Sequence, residues 1–334
     1  MHISRRKFLG SMAATPLAAG GLLSSRGAGA AETYPARPVK LLVPFSPGSS
    51  TDIAARTYAE LMARQMSAES VFVENRAGAG GTIGAGVIAR APNDGYNLLY
   101  STATTWAIAP FVYPDLSYKP ARDFTPIAVT IAIPTVLVVS GDSDIKDFKD
   151  LAARVKAHPE KYSYGSNGVG AHSHITSKLL ANRMGAPNLL HVPFKQGSQG
   201  VMTEIMGGRL TFAVDAWSVV GPHIKSGRLR GLATIAKERL AVAPDIPTAT
   251  ELLGQDFDTT TWNGLWAPAG ISADIVKRLH DAMAVGHDMP ALVTQFQNQG
   301  TPLMPRMSGE EVNAFMKDQI VRWQAFVKEA DLTT

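Results

Sequence analysis

The chain alternates short apolar runs with longer segments of helical period, and turn-rich loops separate them. Leu41–Val43 is an apolar run typical of a buried strand, and 53–64 has the spacing of a helix. Similar runs predict strands at 71–73, 96–100, 162–165, 189–193, 210–214 and 229–236, and helices at 82–91, 146–157, 175–184, 272–286 and 308–330. Strands that alternate with helices in this way predict an α/β fold.

The loop after the first strand is rich in Pro, Gly and hydroxyl groups. Its last residues, Ser49, Ser50, Thr51 and Asp52, are of the types that cap a helix. At a helix N-terminus the free N–H groups and the helix dipole favour an anion such as a carboxylate. These residues alone leave two interpretations open: an anion site, or an ordinary strand-to-helix turn with a serine cap.

Two further strand ends run into small residues, at 78–81 (Gly-Ala-Gly-Gly) and at 101–105 (Ser-Thr-Ala-Thr-Thr). A dinucleotide loop does not fit, because counting G-x-G-x-x-G from Gly78 puts Ile83 at the third Gly position, and the P-loop Lys is missing. Ligands of open α/β sheets sit beyond the carboxyl ends of the strands. Three such ends therefore favour binding of a ligand that is not a nucleotide.

The run 127–139 is long for one strand and contains Pro134, which predicts an edge, a bend or a crossing between sheets. The segment 259–267 predicts a strand that returns to the first sheet. Two crossings predict two doubly wound lobes: 31–130 plus 255–334 for lobe 1, and 131–254 for lobe 2.

The first thirty residues predict a cleaved leader. Arg5-Arg6 belongs to a twin-arginine pattern, a weakly apolar core follows, and Ala28-Gly29-Ala30 is an A-x-A cleavage site. The apolar core is shorter than the roughly 20 residues of a membrane span, which disfavours an uncleaved anchor. The leader holds four of the 32 basic residues and none of the 28 acidic ones. The mature chain then carries no net charge, which argues against nucleic acid or an anionic membrane as a partner.

Catalytic signatures are weak. The chain has no Cys, which excludes thiol chemistry, and G-x-S-x-G does not occur. A metal is disfavoured because His172 and His174 stand two apart with no third ligand adjacent, and no cofactor is predicted. His172 could instead donate to a carboxylate, or His174 could cap the helix. An enzyme, such as a serine-dependent hydrolase, stays the weaker alternative.

Four larger side chains stand near strand ends, and three of them have two interpretations each. Lys195 is either a carboxylate partner or a surface residue. Asp215 either receives an amino group or holds loop N–H groups, and it does not suit a second ligand carboxylate at close range. Trp106 either walls a pocket or is buried, and Trp217 hints at a ligand with an apolar or aromatic body.

Several dispersed motifs resemble the Bug (TctC-type) family of extracytoplasmic solute receptors of tripartite tricarboxylate transporters. They are VPFSPGSSTD (43–52), ENRAGAGG (74–81), RDFTPIA (122–128), SNGVGAHSH (166–174), HVPFK (191–195) and PDIPT (244–248). Ser49 stands where the family usually has a second Gly. Phe194 replaces a Tyr, Trp106 stands where the family often has His, and Ala216 follows Asp215 where the family has Asn.

The resemblance implies a two-lobed periplasmic-binding-protein (type II) fold that closes on a small carboxylate, which is then passed to membrane permease subunits. It implies a periplasmic protein, and we expect a monomer. A ligand-sensing receptor for a signalling partner is the alternative with the same closure. The residues predicted to bind the ligand are Phe45, Ser46, Gly48, Ser49, Thr51, Asp52, Ser101, Thr102, Trp106, Ser166, Asn167, Gly168, Ala171, His172, Lys195, Asp215 and Trp217.

Overall fold

The computed structural model describes residues 34–332. The predicted leader at 1–30 therefore lies outside the described residues. Within them the chain forms two five-stranded sheets, and helices follow most of the strands.

The first sheet has the strand order β2-β1-β3-β10-β4. β1, β2 and β3 are parallel, whereas β10 runs antiparallel to both of its neighbours. The bounds are β1 Val39–Val43, β2 Val71–Asn75, β3 Asn97–Thr102, β4 Phe124–Ile133 and β10 Thr261–Pro268.

The second sheet has the order β7-β6-β8-β5-β9, with β6, β7 and β8 parallel and β5 antiparallel to β8 and β9. Its strands are β5 Thr135–Ser140, β6 Ser163–Ser166, β7 Leu190–Pro193, β8 Phe212–Ala216 and β9 Leu229–Ile235. The two sheets share one plan. In each, the strand next to one edge is antiparallel to its neighbours, and it is the strand that the chain forms when it arrives from the other sheet. These strands are β10 in the first sheet and β5 in the second.

The helices are α1 Ser50–Met66, α2 Thr82–Ile88, α3 Ala109–Val112, α4 Pro120–Asp123, α5 Phe148–Ala157, α6 His172–Arg183, α7 Ser198–Met206, α8 Trp217–Lys225, α9 Ala249–Leu253, α10 Ala273–Ala284, α11 Pro290–Asn298 and α12 Gly309–Glu329. Short 3₁₀ turns lie at Ala79–Gly81, Pro159–Lys161 and Val285–Asp288, and a π-helical turn lies at Thr104–Ile108. Of the helices in residues 34–332, none combines the length and the apolar character needed to cross a membrane.

The predicted run 127–139 is two strands in two different sheets. β4 ends at Ile133, Pro134 follows, and β5 begins at Thr135. Proline has no N–H to give to a sheet, so the ladder is interrupted where the chain changes sheets. The predicted return strand is β10, which pairs with β3 and β4.

Two other expectations from sequence need correction. The helix expected at 175–184 begins three residues earlier, at His172, because the extended Ala171 is its N-cap. Helix α11 was not predicted. It begins with Pro290 in its first turn, and it buries Leu292 and Phe296, the latter stacked on Tyr58 of α1 at 5.5 Å between ring centroids.

Candidate functional site

Six parallel strands of the two sheets end in loops that face one cleft. Two cavities lie there, a small inner one of about 60 Å³ and a larger outer one of about 610 Å³. Phe45, Ser49, Asn167 and Ser198 line both of them. The two cavities are therefore adjacent parts of one cleft, and the inner cavity is the deeper part.

The inner cavity is lined mainly by hydroxyl groups and by the first residues of helices. The N-termini of α1, α6, α7 and α8 all contribute, and the dipoles of these helices give the cavity a positive potential. Its lining consists of Phe45, Ser49, Ser50, Thr51, Thr102, Thr104, Ile133, Thr135, Asn167, Ala171, His172, Ser173, Ser198, Val214, Asp215, Ala216 and Thr261.

The outer cavity is lined by glycines and apolar side chains, with one cation, Lys195. Its loop 78–81 contains glycines in the left-handed region. A side chain does not fit at Gly81, because a Cβ there would lie 2.9 Å from Thr105 and 3.2 Å from Phe45. The lining consists of Pro44, Phe45, Ser46, Ser49, Ala77, Gly78, Ala79, Gly80, Gly81, Ile83, Tyr113, Asn167, Gly168, Val169, Pro193, Phe194, Lys195, Gly197 and Ser198.

Asp52 holds the loop after β1 in shape. The Ser49 hydroxyl accepts from the Asp52 N–H and caps α1. The buried Asp52 carboxylate accepts from Gly48 N at 2.9 Å, from Asn75 Nδ2 at 2.9 Å and from Arg56 at 3.0 and 3.1 Å. Burial opposes ionisation, but these hydrogen bonds outweigh it and lower the pKa of Asp52.

Asp215, at the end of β8, has a different environment. Its Oδ1 accepts from Ala216 N at 2.8 Å, whereas Oδ2 is buried without a hydrogen-bond partner among the described residues. Burial raises the pKa of this carboxyl, an effect that Ser198, the Ala216 N–H and Asn167 partly oppose. The unpartnered oxygen belongs to a residue that lines the inner cavity.

His172 lines the inner cavity, but its Nε2 lies 2.6 Å from the Thr259 carbonyl oxygen. A carbonyl only accepts, so this nitrogen carries the proton and donates it within the protein. Burial lowers the pKa of His172 to about 4, which makes the ring neutral. The ring N–H is thus already bonded within the protein, and His172 borders the cavity as a neutral side chain.

The side chain of His174 does not cap the N–H groups of α6. Its Nδ1 accepts instead from the N–H of Gly170, which precedes the helix, at 3.1 Å. Its ring stacks on His191 at 3.7 Å, and burial lowers the pKa values of these two residues to about 3 and about 4. His191 is bonded to Ser166 Oγ at 2.6 Å. This group supports the loop 167–171 from behind.

Three contacts cross the cleft. The Tyr113 hydroxyl donates to the Val169 carbonyl, and His172 N donates to Thr104 Oγ1 at 3.3 Å. Gln199 Nε2 donates to the carbonyl of Pro47 at 3.4 Å. Each contact joins a loop that follows the first sheet to one that follows the second, so the cleft is closed in this structure.

The structure brings together most of the predicted ligand-binding residues. Eight of them line the inner cavity: Phe45, Ser49, Thr51, Thr102, Asn167, Ala171, His172 and Asp215. Ser46, Gly168 and Lys195 line the outer one. The remaining six line neither cavity: Gly48, Asp52, Ser101, Trp106, Ser166 and Trp217.

The last group has structural partners instead. Trp106 is buried in the core and stacks on Trp266 at 5.8 Å, so the pocket-wall interpretation is not supported. Trp217 is buried at the start of α8, where its ring lies against Gly221 and Gly300, and it does not point to an aromatic ligand. Ser101 accepts from Thr105 Oγ1 at 2.8 Å.

Sequence reasoning missed several residues that line the inner cavity, above all Ser198, Thr135 and Thr261. Ser198 follows Gly197, which has a φ of 63°, at the start of α7, so a Gly-Ser pair after a strand was an available signal. Thr135 and Thr261 are first residues of the antiparallel strands, and nothing in the sequence marks them.

Comparison with known proteins places this architecture in a class. The solved structure of the periplasmic binding protein BugD aligns with a TM-score of 0.85 and 32% identity, over 90% of this chain and 99% of BugD. R. palustris Rpa4515, solved with adipate, aligns with a TM-score of 0.85 and 28% identity, over 90% and 99%. The chain has the two-lobed α/β fold of periplasmic binding proteins, as the sequence predicted.

The sequence comparisons identify the family within this class. The family model described as the tripartite tricarboxylate transporter family receptor matches residues 54–332. Protein BugT of Bordetella pertussis is 33% identical over 301 residues, which cover 90% of this chain and 91% of BugT. The chain belongs to the tripartite tricarboxylate transporter receptor family, and the predicted resemblance to Bug proteins is confirmed.

Proposed function

We propose that this protein captures a small carboxylate between its two lobes and delivers it to the membrane subunits of a tripartite tricarboxylate-type transporter. The observation that carries the proposal is the inner cavity, where four helix N-termini and a set of hydroxyl groups meet. Such a site stabilises an anion without a Lys or Arg. Rpa4515, a structural neighbour, was solved with a dicarboxylate, adipate.

The proposal includes several finer points. The protein acts in the periplasm as a monomer, after export by a twin-arginine leader at 1–30 that is then cleaved. It binds without catalysis. Lobe 1 comprises 31–130 plus 255–334 and lobe 2 comprises 131–254, and the ligand contacts residues of both.

A thermal-shift screen of the purified protein tests the proposal. The panel contains aliphatic di- and tricarboxylates, amino acids, nicotinate-like acids and aromatic carboxylates. A ligand at a hundred times its Kd adds about 2.7 kcal/mol of stability, which raises Tm by several degrees. Unchanged ligand after overnight incubation, followed by NMR, agrees with binding alone. No shift with any carboxylate contradicts the proposal.

A matched pair of variants on α1 tests the site itself. Thr51 lines the inner cavity, and its hydroxyl donates to Asn263 Oδ1 at 3.3 Å, a long contact that a ligand carboxylate would replace, whereas Thr57 lies further along the helix and bonds to the Ile53 carbonyl. Thr51→Val should weaken the binding of the identified carboxylate about fivefold, the effect of about 1 kcal/mol for one hydrogen bond. Thr57→Val should leave the Kd unchanged by calorimetry. Equal Kd values for both variants and the wild type contradict the assignment of the loop.

A further inference from the structure

The inner cavity contains more hydrogen-bond acceptors than the protein can satisfy. Asp215 Oδ2, Asn167 Oδ1, Thr135 Oγ1 and Thr261 Oγ1 are buried without a partner among residues 34–332, and all four residues line the cavity. Asp215, Thr135 and Thr261 are at least 94% buried. Buried polar atoms are almost always bonded, and leaving one unbonded costs the desolvation free energy of that atom. These atoms therefore need a partner from outside the chain.

The chemical kind of that partner follows from the atoms. The carboxylate oxygen of Asp215 and the carbonyl oxygen of Asn167 are acceptors, and the two threonine hydroxyls can accept as well. A group that gives up several hydrogen atoms at once suits such a cluster of acceptors. An ammonium group has three N–H donors, whereas an alcohol has a single O–H.

Charge gives the same answer. Among the residues that line the inner cavity there is no Lys or Arg, and His172 is neutral with its N–H bonded to Thr259. The Asp215 carboxylate belongs to the cavity lining, and among the described residues the Ala216 N–H is the only donor within hydrogen-bond distance of it. A cationic group on the ligand would supply the missing opposite charge, and burial makes such a pairing strong.

Helix N-termini beside these acceptors can bind a carboxylate of the same ligand. The N-termini of α1, α6 and α7 border the same cavity through Ser49–Thr51, Ala171–Ser173 and Ser198. Their free N–H groups suit a carboxylate. A space of about 60 Å³ holds a compact headgroup only, and the outer cavity of about 610 Å³ takes the rest of the molecule.

We propose that the inner cavity binds the headgroup of an α-amino carboxylate, with the ammonium group on Asp215 Oδ2, Asn167 Oδ1 and one of the hydroxyls of Thr135 and Thr261. The carboxylate of the ligand lies against the three helix N-termini, and its side chain extends into the outer cavity. This inference rests on the proposed function and narrows it from carboxylates in general to those that carry an amino group.

Calorimetry with matched ligand pairs tests the inference on the purified protein. Each amino acid is compared with the acid that lacks only the amino group: glutamate with glutarate, leucine with 4-methylpentanoate, and phenylalanine with 3-phenylpropionate. For at least one pair we expect the amino acid to bind at least a hundredfold more tightly. If the acids without an amino group bind equally well or better in every pair, the inference is wrong while the proposed function stands. If no member of any pair binds, the inference is wrong, and the thermal-shift screen of the wider carboxylate panel decides the proposed function.

Variants locate the effect. Asp215→Asn should reduce the preference for the amino acid to less than tenfold and leave the binding of the matched acid unchanged or tighter. Thr135→Val, which keeps the side-chain shape, should reduce the preference two- to tenfold. The control Asp256→Asn, at an exposed position, should keep the full preference. An equal loss of both ligands in Asp215→Asn overturns the inference.

One alternative gives the opposite pH dependence. A protonated Asp215 would donate to a ligand carboxylate, and plain dicarboxylates would then bind more tightly as the pH falls from 8 to 6, with Asp215→Asn still binding them. With an ammonium partner, the wild type binds its amino acid with constant or weaker affinity over that fall. Dicarboxylate binding that tightens as the pH falls in the wild type, and that is pH-independent but retained in Asp215→Asn, overturns the inference.

Discussion

The ends of β1 and β8 each place an aspartate beside a helix N-terminus at the cleft, yet the two carboxylates have opposite surroundings. Asp52 receives hydrogen bonds from Gly48, Arg56 and Asn75 on both of its oxygens. Within residues 34–332, Asp215 receives one hydrogen bond, from Ala216, and keeps a buried oxygen without a partner.

The comparison separates two roles for the same residue type. A carboxylate whose hydrogen-bonding capacity is filled by the protein builds a loop, as Asp52 does for the segment 45–52. A carboxylate that keeps an oxygen free in a cavity is available to a ligand, at some loss of stability in the free protein. Both side chains are almost inaccessible to solvent, but Asp215 lies deeper in the protein, so the depth of burial and the number of partners together make the difference.

The largest effect we expect is acid unfolding, which sets the pH range for comparing the two aspartates. The folded-state pKa values of His172, His174 and His191 are about 4, about 3 and about 4, against 6.5 in the unfolded chain. Because the unfolded state then binds more protons, the free energy of unfolding should fall as the pH falls from about 6.5 to about 4. Near pH 5 the three histidines together give a slope of about 4 kcal/mol per pH unit.

Urea unfolding at several pH values measures this slope. His174→Phe keeps a ring to stack on His191 and removes one titrating group, so the slope should drop by roughly one third. His158 has an exposed side chain, and His158→Phe should leave the slope unchanged. The same slope in His174→Phe as in the wild type would mean that this histidine is not held neutral.

Asp52→Asn should lower the free energy of unfolding by about 3 kcal/mol at pH 7, because buried donors lose a charged acceptor. The pKa of Asp52 is lowered by folding, so its stabilisation is present above the unfolded value of 3.8 and is lost as the pH falls through the folded value. Chemical denaturation at pH 7 measures the difference. The control Glu60→Gln, in an exposed pair on the same helix, should change stability by less than about 0.5 kcal/mol.

Asp215→Asn should have the opposite sign and raise the free energy of unfolding by about 1 kcal/mol at pH 8 without ligand. The folded pKa of Asp215 is raised, so the folded state holds more protons, and stability of the wild type falls as the pH rises from 3.8 through that value. The variant should lack this fall. Ligand-free denaturation curves of the variant and the wild type at several pH values from 4 to 8 test it, and destabilisation as large as that of Asp52→Asn would remove the contrast between the two residues.

The smallest effect should come from a contact outside both strand ends. Tyr113→Phe removes the hydroxyl that bonds to the Val169 carbonyl across the cleft. Losing one bond of the closed form should weaken ligand binding about two- to fivefold without changing which ligands bind. Calorimetry with the identified ligand measures it. The control Tyr162→Phe, after α5, should keep the wild-type Kd, and a changed ligand preference in Tyr113→Phe would place that hydroxyl in the selectivity of the site.

Much of the fold could be predicted because its signals are local. Apolar runs mark β1 and β3, the cap residues Ser49 and Ser308 stand where α1 and α12 begin, and Pro134 marks the change of sheet. These features depend on residues close together in the chain.

The site could be predicted only in part, because it depends on where side chains point and on how strands cross between the sheets. Trp106 follows a strand end in sequence, but the π-helical turn 104–108 turns its ring into the core onto Trp266. Thr135 and Thr261 begin strands that arrive from the opposite sheet, so their place in the cavity is fixed by the crossings and not by any neighbouring motif.

The shared plan of the two sheets also constrains how the chain can fold. β4 has its ladder with β10, whose residues follow more than a hundred positions later and which also separates β4 from β3. The first sheet therefore stays incomplete until the second has been made and the chain has come back. Pairing over such sequence distances is slow, because the entropy of loop closure is lost before the contacts form. A chain that stops before Thr261 leaves β4 without its partner strand and β3 as an exposed edge, so partial chains of this protein are expected to aggregate.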